Sequence, residues 1–128
     1  RRPDCRAVVH AHPPAATGFA LAGETIPDDL LPEAALVLGS VALIPFAMPG
    51  TDEVPDALDP FLAHHKTFLL SHHGAVVMGK NLMDAFNRME TLERIAQIVL
   101  NARRLGGPNP MPPGAFRVMK EADQNGRL

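Results

Sequence analysis

The stretch from Leu82 to about Leu105 constrains the fold more than any other part of the sequence. Ala85, Met89, Leu92, Ala96, Val99, Leu100 and Arg103 recur at a 3.6-residue spacing, which predicts one long helix with a single apolar stripe. Asn81 stands where a side chain caps the first turn, with Asp84 three residues on, and Gly106-Gly107-Pro108 ends the pattern. An apolar stripe of that length needs a surface to cover. The rest of the chain offers short apolar, β-branched runs between turn residues: Arg6 to His12, Ala35 to Leu38, Val41 to Phe46, Phe68 to Leu70 and Ala75 to Met78. These predict strands. Ala15 to Ala22 predicts a short helix, with Pro14 in its first turn and Gly23 at its end. Asp56 to His65 has helical spacing in Leu58, Leu62 and His65, and Ala115 to Gln124 allows one more short helix. The class is α/β, with the long helix over one face of a sheet.

At 128 residues the chain fits one cooperative domain, 1–128. With no Trp and no Tyr, its core must be built from Leu, Val, Ile, Ala, Met and Phe, and it has no aromatic platform for stacking bases. A net charge of -2 with both signs spread along the chain gives neither a basic stripe for nucleic acid nor a polybasic membrane anchor. No window approaches the roughly 20 apolar residues of a membrane helix. A single cysteine, Cys5, excludes an internal disulfide, and no leader pattern is present, so the expected compartment is the cytoplasm. The first strand begins within a few residues of Arg1, and no initiator Met precedes it. A missing N-terminal part is therefore expected.

The chemistry lies in the histidines. Side chains alternate across a strand, so His10 and His12 share a face with Cα atoms roughly 6.5 Å apart, close enough for two imidazoles to share one tetrahedral ion. Two ligands do not hold zinc, and Ser71-His72-His73-Gly74 offers a third. Adjacent residues of a strand face opposite ways, so one of His72 and His73 joins the site. Gly74 there lets the backbone approach closely or adopt a positive φ. Without an ion, two histidine clusters bracketed by apolar strands would leave several imidazoles in need of partners. A cupin-like site wants a carboxylate a few residues after the pair, where Ala15, Ala16 and Thr17 stand. A barrel hydrolase needs roughly 250 residues. The other conspicuous side chains have plain explanations: His64 and His65 favour a helix's carbonyl end, Glu90 pairs with Arg94 along a helix, and Cys5 and the methionines pack.

Val8-Val9-His10-Ala11-His12-Pro13-Pro14-Ala15-Ala16-Thr17 resembles the first metal segment of the class II aldolase/adducin family, and Leu69-Leu70-Ser71-His72-His73-Gly74 resembles its second. Further matches are Leu31-Pro32-Glu33, the Pro45-to-Pro49 strand exit, and Gly79-Lys80-Asn81-Leu82-Met83-Asp84-Ala85-Phe86 leading into Met89-Glu90-Thr91-Leu92-Glu93. The resemblance runs nearly to Leu105 and is greatest to the fuculose-phosphate aldolase branch. It implies a three-layer α/β/α fold with a mixed, largely antiparallel central sheet, the His10-to-His12 strand lying beside the strand entering His73. It also implies Zn2+, or another divalent metal, on His10, His12 and His73, with His72 outside the ligand set. The implied activity is that of a carbon–carbon lyase: aldol cleavage of a ketose phosphate such as fuculose 1-phosphate, the metal stabilising the enediolate. The same scaffold serves epimerases, dehydratases and decarboxylases, and adducin-like proteins keep it for assembly alone. The implied partners are a small sugar phosphate and further copies of the chain in a ring-like homotetramer. The family's catalytic glutamate and phosphate-binding loop would lie before Arg1, so the resemblance assigns no acid/base group to this chain. The tyrosine that assists some members is unmatched: Leu31 falls near its place, and Glu33 is the nearest carboxylate.

Overall fold

The computed structural model describes residues 2–126. The long helix, designated α3 below, is Leu82–Arg104. Asn81 is extended, and its side-chain oxygen accepts the Asp84 N–H at 2.8 Å, while the Asp84 carboxylate accepts the Lys80 N–H at 2.9 Å. The first bond satisfies a donor the first turn would otherwise leave free, and the second ties the residue before the cap to the same turn. Ala85, Met89, Leu92, Ile95, Ala96 and Val99 form its buried stripe.

Beneath it lie four strands: β1 (Ala7–Ala11), β2 (Val41–Ile44), β3 (Thr67–Leu70) and β4 (Gly74–Gly79), in the order β1-β4-β3-β2. β1 and β3 each run antiparallel to β4, and β2 runs parallel to β3. The sheet is therefore mixed and largely antiparallel, as expected. The expected neighbour of β1 was wrong, however. β1 pairs with the strand that leaves His73, not with the one that enters it, because β3 and β4 form a tight hairpin whose inner edge is already used. Only the outer edge of β4 is open to β1.

β3 is buried at every residue, and its alternation supplies both faces. Leu69 joins Ala75 and Val77 against α3 and α1 (Pro14–Ala22), where Ala16, Phe19 and Ala20 are buried. Phe68 and Leu70 join Ile44 and Met78 on the other face, against Val54, Leu58, Phe61 and Leu62. Helices on both faces make three layers. At about 25 cal/mol per Å2 of apolar surface, fully burying a side chain such as Phe68 or Leu92 contributes about 1.5–3 kcal/mol.

Two elements differ from expectation. Ala35 to Leu38 is not a strand but part of a π-helical turn, Ala34–Leu38, in which the Gly39 N–H reaches the Ala34 carbonyl at 3.1 Å. A four-residue apolar run has no periodicity to tell strand from helix. Here side chains from elsewhere take the turn's last carbonyls: Arg88 donates to Val37, and Thr67 Oγ1 donates to Leu38 at 3.1 Å. The second is the expected helix from Asp56 to His65. It is instead α2 (Glu53–Leu58) followed by a 3-10 turn, Asp59–Phe61. Pro60 has no N–H to continue the α-helical ladder, so the turn tightens and the Leu62 N–H bonds to the Asp59 carbonyl. A final helix, α4 (Ala115–Gln124), matches the sequence pattern.

Met89 is 7 % exposed. Met89→Asp would place an unpaired carboxylate between α3 and the sheet, and is expected to destabilise by about 3 kcal/mol or more. Urea denaturation measures this, and an unchanged midpoint would show that the stripe does not face the core.

Candidate metal centre

In β1, Ala7, Val9 and Ala11 pack towards the α1/α3 core, so His10 projects from the opposite face. Its Nδ1 lies 2.9 Å from the Ala75 carbonyl oxygen. A carbonyl only accepts, so Nδ1 carries the proton and donates, leaving Nε2 as the ring's acceptor atom. Strand pairing stops at Ala11, opposite Ala75, and His12 follows on the same face as His10. The two Nε2 atoms are 3.2 Å apart.

His73 comes from the β3–β4 turn. Ser71, His72 and His73 span the gap between Leu70 and Gly74, and the His73 N–H donates to the Leu70 carbonyl at 3.0 Å. His72 takes a positive φ of 57°, a conformation few non-glycine residues adopt. Its ring is exposed and lies edge-on to Phe46, with centroids 6.2 Å apart. The turn thus sends His72 outwards and His73 inwards, where the His73 ring centroid lies 4.8 Å from that of His10 and 5.0 Å from that of His12.

Gly74 does not have a positive φ; it serves the close approach. A Cβ there would stand 2.5 Å from His12 Cδ2 and 2.6 Å from the Ala11 carbonyl oxygen. Any side chain would push β1 away from the turn and part His12 from His73.

One ligand nitrogen from each of His10, His12 and His73 lies within 4.8 Å of the other two. Two nitrogens about 2.0–2.1 Å from one tetrahedral ion would be about 3.4 Å apart. The His10–His12 pair is already near that spacing, and a modest ring rotation closes the wider gap. The donor set suits zinc and other divalent ions that accept imidazole. Burial, and after it the neighbouring His10 and His12 rings, hold the His73 pKa below its ordinary 6.5. This favours the neutral, ligating form.

The other sequence candidates lie apart from this cluster. Glu33 is exposed at the start of the π-helical turn and caps nothing, and Leu31 packs at the edge of the α1/α3 core. His64 and His65 do not sit on a helix end. His65 Nδ1 instead lies 3.0 Å from the Ser40 carbonyl oxygen, tying the start of β3 to that of β2. Glu90 is exposed and forms no ion pair with Arg94 among the described residues.

Glu93 is the residue the sequence reading missed. Its two carboxylate oxygens accept the N–H groups of Ala15 and Ala16, at 2.9 Å each. The signal was present in α1, which opens on Pro13-Pro14 without a capping side chain. Such a helix start needs an acceptor from elsewhere.

Residues 1–100 match the family model described as Class II Aldolase and Adducin N-terminal domain. The chain is 34% identical over 101 residues to 3-oxo-tetronate 4-phosphate decarboxylase of Escherichia coli strain K12, a match covering 76% of this chain and 48% of that protein. It is 32% identical over 110 residues to L-fuculose phosphate aldolase of the same strain, covering 86% of this chain and 51% of that protein. A solved L-fuculose 1-phosphate aldolase superposes with a TM-score of 0.81 at 30% identity, over 96% of this chain and 57% of that one. The chain thus spans about half the length of the curated relatives it matches. No helix among the described residues is long and apolar enough to cross a membrane.

Two outcomes follow from the site's geometry. Gly74→Ala is expected to cost about 1–3 kcal/mol by overpacking, whereas Gly18→Ala, inside α1 with nothing within 4 Å of the added carbon, should gain about 0.5–1 kcal/mol. Denaturant midpoints of the two variants test the contrast. Secondly, the lowered His73 pKa means that the unfolded chain binds more protons just below pH 6.5. Stability of the metal-free protein should therefore fall as the pH drops below about 6.5, and less steeply in His73→Ala. Melting temperatures across that range check the sign.

Proposed function

We propose a function that starts from the chain's family: the chain belongs to the class II aldolase and adducin family, and His10, His12 and His73 form the divalent-metal site of a lyase. That lyase breaks a carbon–carbon bond in a phosphorylated sugar or sugar acid. The observation that carries this reading is the convergence of three imidazole nitrogens from two separate chain segments within 4.8 Å.

The residues present supply the binding side of the chemistry. The His10 bond to the Ala75 carbonyl fixes that ring's tautomer and aims Nε2 at the shared centre. Burial shifts the His73 ring towards its neutral form, and the exposure of His10 and His12 leaves the centre open to a small molecule. Three neutral ligands do not offset the charge of a divalent cation. When bound, zinc or a similar ion would supply Lewis-acid stabilisation of the charge that builds on a carbonyl oxygen as the neighbouring carbon–carbon bond breaks.

Aldol cleavage of a ketose phosphate such as fuculose 1-phosphate is the first reading. It is supported by the likeness to L-fuculose phosphate aldolase over 86% of this chain. Decarboxylation of a phosphorylated 3-oxo sugar acid is the second, supported by the 34% identity to a decarboxylase of that kind. Both reactions leave an electron pair on the carbon beside an oxygenated centre, so one metal site serves either.

Elemental analysis of the purified protein tests the site. About one zinc per chain is expected in the wild type and in His72→Ala, and none in His10→Ala, His12→Ala or His73→Ala, since two imidazoles are too few. Retention of zinc by His73→Ala would overturn the ligand set. The protein, given both substrate classes, should release an aldehyde from the ketose phosphate or carbon dioxide from the 3-oxo acid. Bound zinc with neither product would end the lyase reading.

A further inference from the structure

We infer that Glu93 is a positioning residue for the metal centre, acting through the start of α1 on the ligand His12. The inference rests on the metal-site reading above and deepens it.

The backbone N–H groups of the first turn of α1 are all accounted for. Pro14 has no N–H, the Ala15 and Ala16 N–H groups donate to the two oxygens of Glu93 at 2.9 Å each, and the Thr17 N–H donates to the Pro13 carbonyl at 2.8 Å. Pro13, at the capping position, has no side-chain oxygen to offer. The place where α1 begins is therefore fixed from outside the segment, by a carboxylate on α3. A charged acceptor of two N–H groups holds more strongly than a neutral one, and two-point contact fixes orientation as well as distance.

His12 lies between two anchors. On one side Ala11 is paired with Ala75 in the sheet. On the other, Ala15 is held by Glu93. Only His12, Pro13 and Pro14 lie between, and both prolines have a restricted φ. The third restraint is Gly74, whose missing side chain admits the His12 ring. With so short and stiff a span, releasing the α1 start lets His12 drift, whereas His10, fixed by its own bond to Ala75, stays in place. The hydrogen bonds of Glu93 go to Ala15, Ala16 and Gln97, not to any of the three imidazoles. Its effect is on where one of them stands.

A merely structural role would lower stability and leave the metal site unchanged, so the test measures both. Glu93→Gln keeps the size of the side chain but turns an NH2 group, a donor, towards one of the two N–H groups. Val99→Ala removes buried volume from the same helix and leaves the Glu93 carboxylate itself unchanged. Zinc affinity by chelator competition and the visible spectrum of the cobalt(II) form, which reports ligand geometry, are read alongside the thermal midpoint. Glu93→Gln is expected to weaken zinc at least about tenfold, as loss of groups that orient a ligand does, and to change the cobalt spectrum. Val99→Ala, with an equal or larger fall in midpoint, is expected to leave both as in the wild type. Wild-type affinity and spectrum in Glu93→Gln would overturn the inference, as would an equal loss in Val99→Ala. A wild-type protein that takes up no zinc would instead overturn the metal-site reading, and this inference with it.

Discussion

The candidate centre depends on one steric fact, the contact between the end of β1 and the β3–β4 turn at Gly74. Two segments more than sixty residues apart in sequence bring their imidazoles together because nothing projects from Gly74 towards the Ala11 carbonyl and the His12 ring. The strand pairing sets the direction of approach, and the missing Cβ sets its distance. His10 profits from the same closeness, since its Nδ1 reaches the Ala75 carbonyl one residue beyond Gly74. Hydrogen bonding then decides which ring nitrogen is left for an ion.

Segment ends account for much of the remaining architecture. The chain has few conventional caps. α1 and the π-helical turn have no capping bond from their own N-terminal side chains. Free backbone groups are met by side chains from distant elements instead: Glu93 for α1, and Arg88 and Thr67 for the end of the π-helical turn. Arg88 also donates to the Met78 carbonyl at 3.0 Å, so one guanidinium joins α3, β4 and the turn. Burial pushes its pKa down, with Asp84 opposing the shift. Each such bond crosses the core boundary and couples the start or stop of one element to the placement of another. Unmet, a buried backbone group would cost about 1–3 kcal/mol.

This explains which parts of the fold the sequence made legible. α3 was readable because its stripe, its Asn81/Asp84 cap and its terminal glycines are local signals that agree. The His10/His12 pair was readable because strand alternation needs only the two residues themselves. Choosing His73 over His72 required the family resemblance, since the strand rule alone left either open. The structure gives the physical reason: a turn with His72 at positive φ directs the following ring inwards. Ala34–Leu38 was not legible, because an apolar run that short takes its form from Arg88 and Thr67, which lie far along the chain. Glu93 was missed for the same reason, as its acceptor role appears only when α1 and α3 are placed side by side. The pairing of β1 with β4 likewise depends on which sheet edge the hairpin leaves open.

Sheet topology adds the last step. With β1 and β3 antiparallel to β4, and β2 parallel to β3, the exits of β1, β2 and β3 all meet the start of β4 at one end of the sheet. There the Ser71 N–H donates to the Ile44 carbonyl at 3.1 Å, continuing the β2–β3 ladder beyond the strands. The same bond sets the β2 exit beside the histidine turn, and Pro45, Ala47, Ser71 and His73 line a common small cavity. At this end His10, His12 and His72 are exposed, whereas β3 is buried at every residue. The imidazoles thus sit where the fold is both held by strand pairing and open to solvent. That combination, rigid support beneath an accessible rim, is what a site for a small polar molecule requires.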